Sequence, residues 1–174
     1  MSCPIMRSSL ILYFRIFLIV AVSCVLPIQS KAQSFAYKTL LSTLYDSDLP
    51  TVSPAEFSDL SNFQILDTRE KEEFEVSHLK GAKWVGFDTF KMEALSELDK
   101  NKPVLVYCTV GARSQDIGKK LTAAGFTKVY NLYGGIIQWS NESMPLFQNG
   151  KQTVQVHTYS RTWGIWLEKG EKVY

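Results

Sequence analysis

Apolar residues fall in short bursts along this chain, and the spacing within each burst sets the element it predicts. Phe35, Leu40, Leu41 and Leu44 recur at helical intervals, which predicts a short helix over 34–45. Ser53-Pro54-Ala55-Glu56 reads as a helix start, with Ser as N-cap, Pro at the first helical position and an acid at the third. The run Phe63 to Leu66, ending on Asp67, predicts a strand, and Glu70 to Val76 a short charged helix. Trp84-Val85 is a minimal strand after a turn around Gly81, and Phe90 to Leu98 is amphipathic at helical spacing. Pro103 opens Val104-Leu105-Val106-Tyr107, an uninterrupted apolar run of the kind a central strand needs when both faces are covered. Arg113 to Ala124 carries Ile117, Leu121 and Ala124 on one helical face, and Gly125 ends it. Lys128 to Asn131 predicts another strand, and Gly134-Gly135 leads into a short helix over Ile136 to Ser140. Strands alternating with helices predict an α/β fold whose parallel sheet is covered on both faces.

The two ends differ from this pattern. Gln152 to Val156 alternates polar and apolar residues, and Trp163, Ile165, Trp166 and Leu167 cluster behind it. Aromatic weight of that kind predicts that the segment 148–174 packs on the domain. At the other end, Arg7 and Arg15 flank the apolar run Ile16 to Leu26, and the small residues Ser30 and Ala32 follow. This is the layout of a secretory signal peptide, with cleavage expected after Ala32. A retained anchor is disfavoured because Arg15 interrupts and Pro27 closes a stretch that should run roughly 20 apolar residues. A lipoprotein signal at Cys24, after Ala21-Val22-Ser23, lacks the usual Leu. The expected location is therefore exported, periplasmic or secreted, with membrane attachment only if this segment is kept.

Charge adds to this picture only once the ends are separated. The chain has 19 basic and 17 acidic residues, but 1–32 hold Arg7, Arg15 and Lys31 and no acid, so the remainder carries 16 against 17, a net −1. That excludes the basic footprint of nucleic-acid binding. Of three cysteines, Cys3 and Cys24 lie in the segment expected to be removed, which leaves Cys108 without an internal disulfide partner. Two histidines and no Cys/His cluster at ligand spacing argue against a metal site.

Cys108 ends the predicted central strand, and the loop Cys108-Thr109-Val110-Gly111-Ala112-Arg113 leads to a helix that begins at its far end. Open α/β sheets place their sites at this carboxyl edge. Backbone N–H groups of the loop and the helix N-terminus would face the sulfur and favour a thiolate, with Arg113 close by and Gly111 allowing the tight backbone path.

Cys-x-x-Gly-x-Arg-Ser after an apolar strand resembles the active-site loop of the rhodanese family. Leu66-Asp67-Thr68-Arg69-Glu70 is similar to that family's Asp-x-Arg strand end, His78-Leu79-Lys80-Gly81-Ala82 to its His-x-x-Gly-Ala segment, and Asn131-Leu132-Tyr133-Gly134-Gly135-Ile136-Ile137-Gln138-Trp139 to its closing Gly-Gly-x-x-x-Trp segment. The resemblance covers about 53–145. It implies a rhodanese-like three-layer fold for a domain over 53–147; the readings of the two ends above add a 1–32 signal peptide, a 33–52 lead-in helix and a 148–174 C-terminal extension.

It further implies a thiosulfate-type sulfurtransferase. Cys108 would take a sulfane sulfur from a small donor as a persulfide and pass it to a thiol, a protein thiol or cyanide, with no cofactor and no metal. Thr109, Val110, Gly111, Ala112, Arg113 and Ser114 would form the substrate-binding loop, Arg113 helping to hold an anionic donor. Asp67 and Arg69 are expected to support the structure as an ion pair, and His78 to be a turn histidine. Thr109, Val110 and Ala112 make the loop apolar and uncharged, which sits poorly with a dianionic donor. Two other readings stay open. Related phosphatases space Cys and Arg by five residues and here four intervene, which disfavours the first. A non-catalytic or redox-sensing binding module is the second. The tail residues His157, Tyr159, Arg161 and Trp163 are expected either to pack on the surface or to fold over the Cys108 loop and shape the acceptor pocket.

Overall fold

The computed structural model describes residues 33–57 and 59–174, so the expected signal peptide lies outside the described residues. The chain divides into two units at Thr39/Leu40. Residues 33–44 are helical (α1). All the elements that position the site lie in the second unit, Leu40–Tyr174.

That unit runs β1 (Thr51–Val52), a 3-10 turn (Pro54–Glu56), β2 (Gln64–Asp67), α2 (Lys71–Val76), β3 (Lys83–Trp84), a 3-10 turn (Met92–Leu95), β4 (Val104–Tyr107), α3 (Ala112–Ala123), β5 (Val129–Leu132) and α4 (Gly135–Asn141). The tail adds β6 (Leu146–Gln148), β7 (Lys151–Thr153), β8 (Gln155–His157), α5 (Arg161–Gly164) and β9 (Glu171–Val173). Among the described residues β1 to β5 form a five-stranded sheet in the order β1-β5-β4-β2-β3. All four pairings are parallel. The α/β fold with a central parallel sheet is therefore as the alternation of elements predicts.

β4 is the middle strand, and all four of its residues are buried. Its side chains alternate between faces. Val104 and Val106 join Leu66, Ile117, Leu121, Phe126 and Val129 in one apolar layer beneath α3. Leu105 and Tyr107 point the opposite way. Each fully buried aliphatic side chain in such a layer contributes roughly 1.5–3 kcal/mol, which is why a strand of only four residues holds its place.

Three expectations change. The boundary at 53 shifts, because Thr51 and Val52, assigned to the lead-in segment, pair with Asn131 and Leu132 as an edge strand of the sheet. The helix start at Ser53 yields only a 3-10 turn. Glu56 accepts a hydrogen bond from the Ser53 N–H at 2.7 Å, but Phe57 is already extended. The amphipathic run Phe90–Leu98 likewise keeps one 3-10 turn, which is enough to bury Leu95.

The C-terminal segment docks through Val156, Thr158 and Leu167, all buried. β6 and β7 form a hairpin, while β8 and β9 pair in parallel. Among the described residues no helix is long and apolar enough to cross a membrane.

Candidate active site

The parallel register brings the carboxyl ends of β2, β4 and β5 to one edge, with Asp67 level with Tyr107. Cys108 follows directly and is 1% exposed. The Gly111 N–H donates to Cys108 Sγ at 3.1 Å. Gly111 achieves this with φ +97°, and a Cβ there would run into the Tyr45 phenol. α3 starts at Ala112, so its N-terminal dipole end adjoins the same loop.

Two further layers fix the loop. The Asn131 side chain donates to the Gly111 carbonyl at 2.8 Å and accepts from the Ser114 hydroxyl at 2.7 Å. From α4, the Ile136 and Ile137 N–H groups donate to the Cys108 and Thr109 carbonyls at 2.9 and 3.3 Å. This close approach of α4 explains Gly135. Its φ is +57°, and a Cβ would overlap the Cys108 carbonyl oxygen and sit 2.6 Å from that of Thr109. Tyr45, just past α1, donates to the Val110 carbonyl at 2.5 Å and accepts from the Gly134 N–H at 2.8 Å. Burial pushes its phenol well above the ordinary range, the Gly134 hydrogen bond offsets part of this, and the nearby Cys108 adds to the rise.

Arg113 lies at the loop's far end, 20% exposed. Its Nη2 donates to both Glu73 carboxylate oxygens, at 3.0 and 2.8 Å, and to the Thr109 hydroxyl at 2.9 Å. Its Nη1 lies 3.7 Å from Glu70. The Tyr159 ring covers the guanidinium face, 4.9 Å away. Burial opposes the Arg113 charge, but Cys108 and Glu73 outweigh it and raise the pKa. Glu73 itself is 2% exposed and also accepts from the Thr109 hydroxyl at 2.8 Å.

Of the six loop residues expected to bind substrate, Gly111 thus meets the sulfur through its N–H. Thr109 and Ser114 turn their hydroxyls inward to Glu73 and Asn131, and Val110 is buried. Ala112 is half-buried. Arg113 latches the loop to α2 and to the tail.

Asp67 and Arg69 form a fully buried ion pair with a 2.6 Å contact, and Arg69 also donates to the Ser77 carbonyl at 2.6 Å. This pair fixes the β2–α2 connection. His78 stacks on Phe74, with ring centroids 4.2 Å apart, and its backbone bridges Phe147, a packing role.

Sequence reasoning assigned no role at the loop to Tyr45 and Glu73, nor to Glu70 and Asn131, which lie within the quoted motifs. The i,i+3 spacing of Glu70 and Glu73 on a short helix is the one visible signal, since it aims both acids at the same neighbour. Tyr45 and Asn131 reach the loop through tertiary structure alone.

A thiol lies at the end of the middle strand of a parallel sheet, cradled by a loop amide and a helix start, in an α/β fold. The rhodanese-like domain family model matches residues 53–142, and the chain belongs to that family. Among relatives, it is 40% identical over 76 residues to the thiosulfate sulfurtransferase GlpE of Coxiella burnetii, covering 43% of this chain and 69% of that protein. It is 37% identical over 98 residues to the tRNA uridine(34) hydroxylase of Cytophaga hutchinsonii, covering 52% of this chain and 31% of the hydroxylase, so the chain spans only about a third of that relative's length. The crystal structure of a rhodanese-like domain protein from Staphylococcus aureus superposes with a TM-score of 0.51 at 26% identity, covering 58% of this chain and 99% of that one. The family is one of sulfur transfer.

Proposed function

We propose that this protein is a sulfurtransferase that carries a sulfane sulfur on Cys108. The observation that carries the reading is the Gly111 N–H aimed at Cys108 Sγ from a loop that opens α3. An amide donor and a helix N-terminus stabilise a thiolate, and equally the terminal sulfur of a persulfide. In the first half-reaction the thiolate attacks the outer sulfur of the donor. The donor's S–S bond breaks and its electron pair leaves with sulfite, when thiosulfate is the donor. In the second, a thiolate or cyanide attacks the outer persulfide sulfur and returns the Cys108 thiolate. No proton transfer at carbon and no redox cofactor enters either step. With the side chain nearly buried, the donor's terminal sulfur enters the loop while its remainder stays at the mouth, beside Arg113 and Tyr159.

The test is the intact mass of the full chain after incubation with thiosulfate in large excess or with methanethiosulfonate. A gain of one sulfur on the wild type, absent from Cys108→Ser and discharged by cyanide or a thiol, is the expected result. No gain from either donor overturns the reading and turns attention to a binding or redox-sensing module. We also propose, from the basic and apolar N-terminal segment, that the protein is exported with cleavage after Ala32. N-terminal sequencing of the mature protein that begins near Gln33 is the expected outcome, and an intact Met1 on soluble cytosolic protein overturns it.

A further inference from the structure

Arg113 is the single cation of the Cys108–Arg113 loop, and its charge is shared between Cys108 and the acids of α2. Nη2 is held by both oxygens of Glu73, Nη1 faces Glu70, and the ring of Tyr159 covers the guanidinium face. One positive charge therefore stands against two carboxylates, before Asp88 and Glu72, whose fields also bear on Glu70, are counted. Burial holds the Glu70 carboxyl above its ordinary range, and these neighbouring acids add to the rise while Arg113 opposes it, the direction expected where negative charge is crowded. Arg69 offers no spare charge, being buried against Asp67. His157 tends towards its neutral form, since burial lowers its pKa.

Thr109 and Val110 of the loop are buried, Ala112 is half-buried and uncharged, and Tyr159 supplies an exposed ring beside Arg113. Tyr159 is 56% exposed and holds φ +65°. A bulky residue in that region is strained, and such strain concentrates at ligand sites.

Resting on the sulfurtransferase reading above, we propose that Cys108 takes its sulfur from an organic sulfane-sulfur donor of at most one negative charge, whose organic group lies against Tyr159, and that Glu70 and Glu73 make the site discriminate against the thiosulfate dianion. The chemistry is unchanged. The Cys108 thiolate forms a bond to the donor's terminal sulfur, the donor's S–S bond breaks, and the electron pair leaves on a sulfinate when the donor is a thiosulfonate. One negative charge enters and one leaves with an organic thiosulfonate, where two enter and two leave with thiosulfate.

Thiosulfate and methanethiosulfonate form a matched pair, since each presents a terminal sulfur on an oxidised sulfur centre and they differ by one charge and one methyl group. The experiment is the initial rate of sulfur loading on the full chain, read by intact mass, with each donor at equal concentration and low ionic strength. Wild type is expected to load from methanethiosulfonate faster by on the order of tenfold, the factor one extra unit charge meets at mid-range separation in a partly solvated site. Glu70→Gln, which keeps an oxygen at the start of α2, is expected to move the ratio several-fold towards thiosulfate. Raising the salt concentration on the wild type, which needs no variant to fold, is expected to narrow the gap. Equal loading from the two donors, or a ratio indifferent to both salt and Glu70→Gln, overturns the donor assignment and leaves the sulfurtransferase reading standing. Loading from neither donor overturns both.

Discussion

Replacing Arg113 with Gln removes the cation from Glu73 and leaves that carboxylate where it is, 2% exposed. Stripping one partner from a buried ion pair costs about 3–5 kcal/mol. The lower end applies, because Arg113 is 20% exposed and Glu73 keeps two donors, the Thr109 hydroxyl at 2.8 Å and the Glu70 N–H at 3.1 Å. A loss of about 3 kcal/mol corresponds to a fall in Tm of roughly 6–12 °C in a chain of this size. Urea and thermal unfolding of the full chain measure it, with the urea m-value expected to stay constant. The double variant Arg113→Gln, Glu73→Gln then separates the buried charge from the loss of a contact. With residue 73 neutral no unpaired charge stays buried, so the double variant is expected to be more stable than Arg113→Gln alone. An Arg113→Gln protein within about 0.5 kcal/mol of wild type, the range of an ordinary surface change, would refute the view that Arg113 is the latch of this loop. So would a double variant no more stable than the single one.

Three other perturbations test the rest of the cradle. Tyr45→Phe removes the donor to the Val110 carbonyl and is expected to cost about 1–2 kcal/mol and to slow sulfur loading at Cys108; an unchanged urea midpoint with unchanged loading would count against it. Gly135→Ala must hold φ +57° with its Cβ against the Cys108 and Thr109 carbonyls, whereas Gly150→Ala meets open space at φ +75°. The first is therefore expected to destabilise by more than the roughly 1–3 kcal/mol of backbone strain that both share, and to depress loading, while Gly150→Ala leaves loading intact. His157, whose pKa burial lowers from its ordinary 6.5, binds protons more readily unfolded than folded. Its contribution to stability is thus full above pH 6.5 and is lost as pH falls through its folded value. His157→Gln is expected to flatten stability across that acid window, and parallel wild-type and variant curves would rule this out.

The parts of the fold that periodicity could reach are those whose burial is local in sequence. β4 declares itself because a strand covered on both faces needs four consecutive apolar residues, and α3 because Ile117 and Leu121 fall one turn apart on the buried face. The Cys108 loop was legible for a related reason, since a strand, a thiol, a glycine and a helix are contiguous in the chain. β1 was not. Its two residues carry no periodic signal, and they become a strand only because Asn131 and Leu132 lie beside them. The amphipathic run Phe90–Leu98 misleads in the opposite direction. Burying Leu95 takes one 3-10 turn, and nothing propagates the helix further. At the site, charge was the hard part. Arg113 looks free for an anionic donor when only its own loop is read, and only the fold shows Glu70 and Glu73 arriving from α2 and Tyr159 from the tail.

The strand order has a consequence for when the loop around Cys108 is fixed during synthesis. β4 is made before β5, and the groups of β5 and α4 that hydrogen-bond to the loop, Asn131, Ile136 and Ile137, follow Cys108 in the chain. The edge strand β1 waits as well, for Asn131 and Leu132. Contacts this distant in sequence close slowly. On a ribosome, then, the loop that holds Cys108 emerges with Tyr45 and Glu73 already made but without Asn131, Ile136 and Ile137. Its bracing is complete only when the chain from β5 to α4 has appeared and folded back across the sheet, so the fixing of this loop is timed by topology to the closing of the domain.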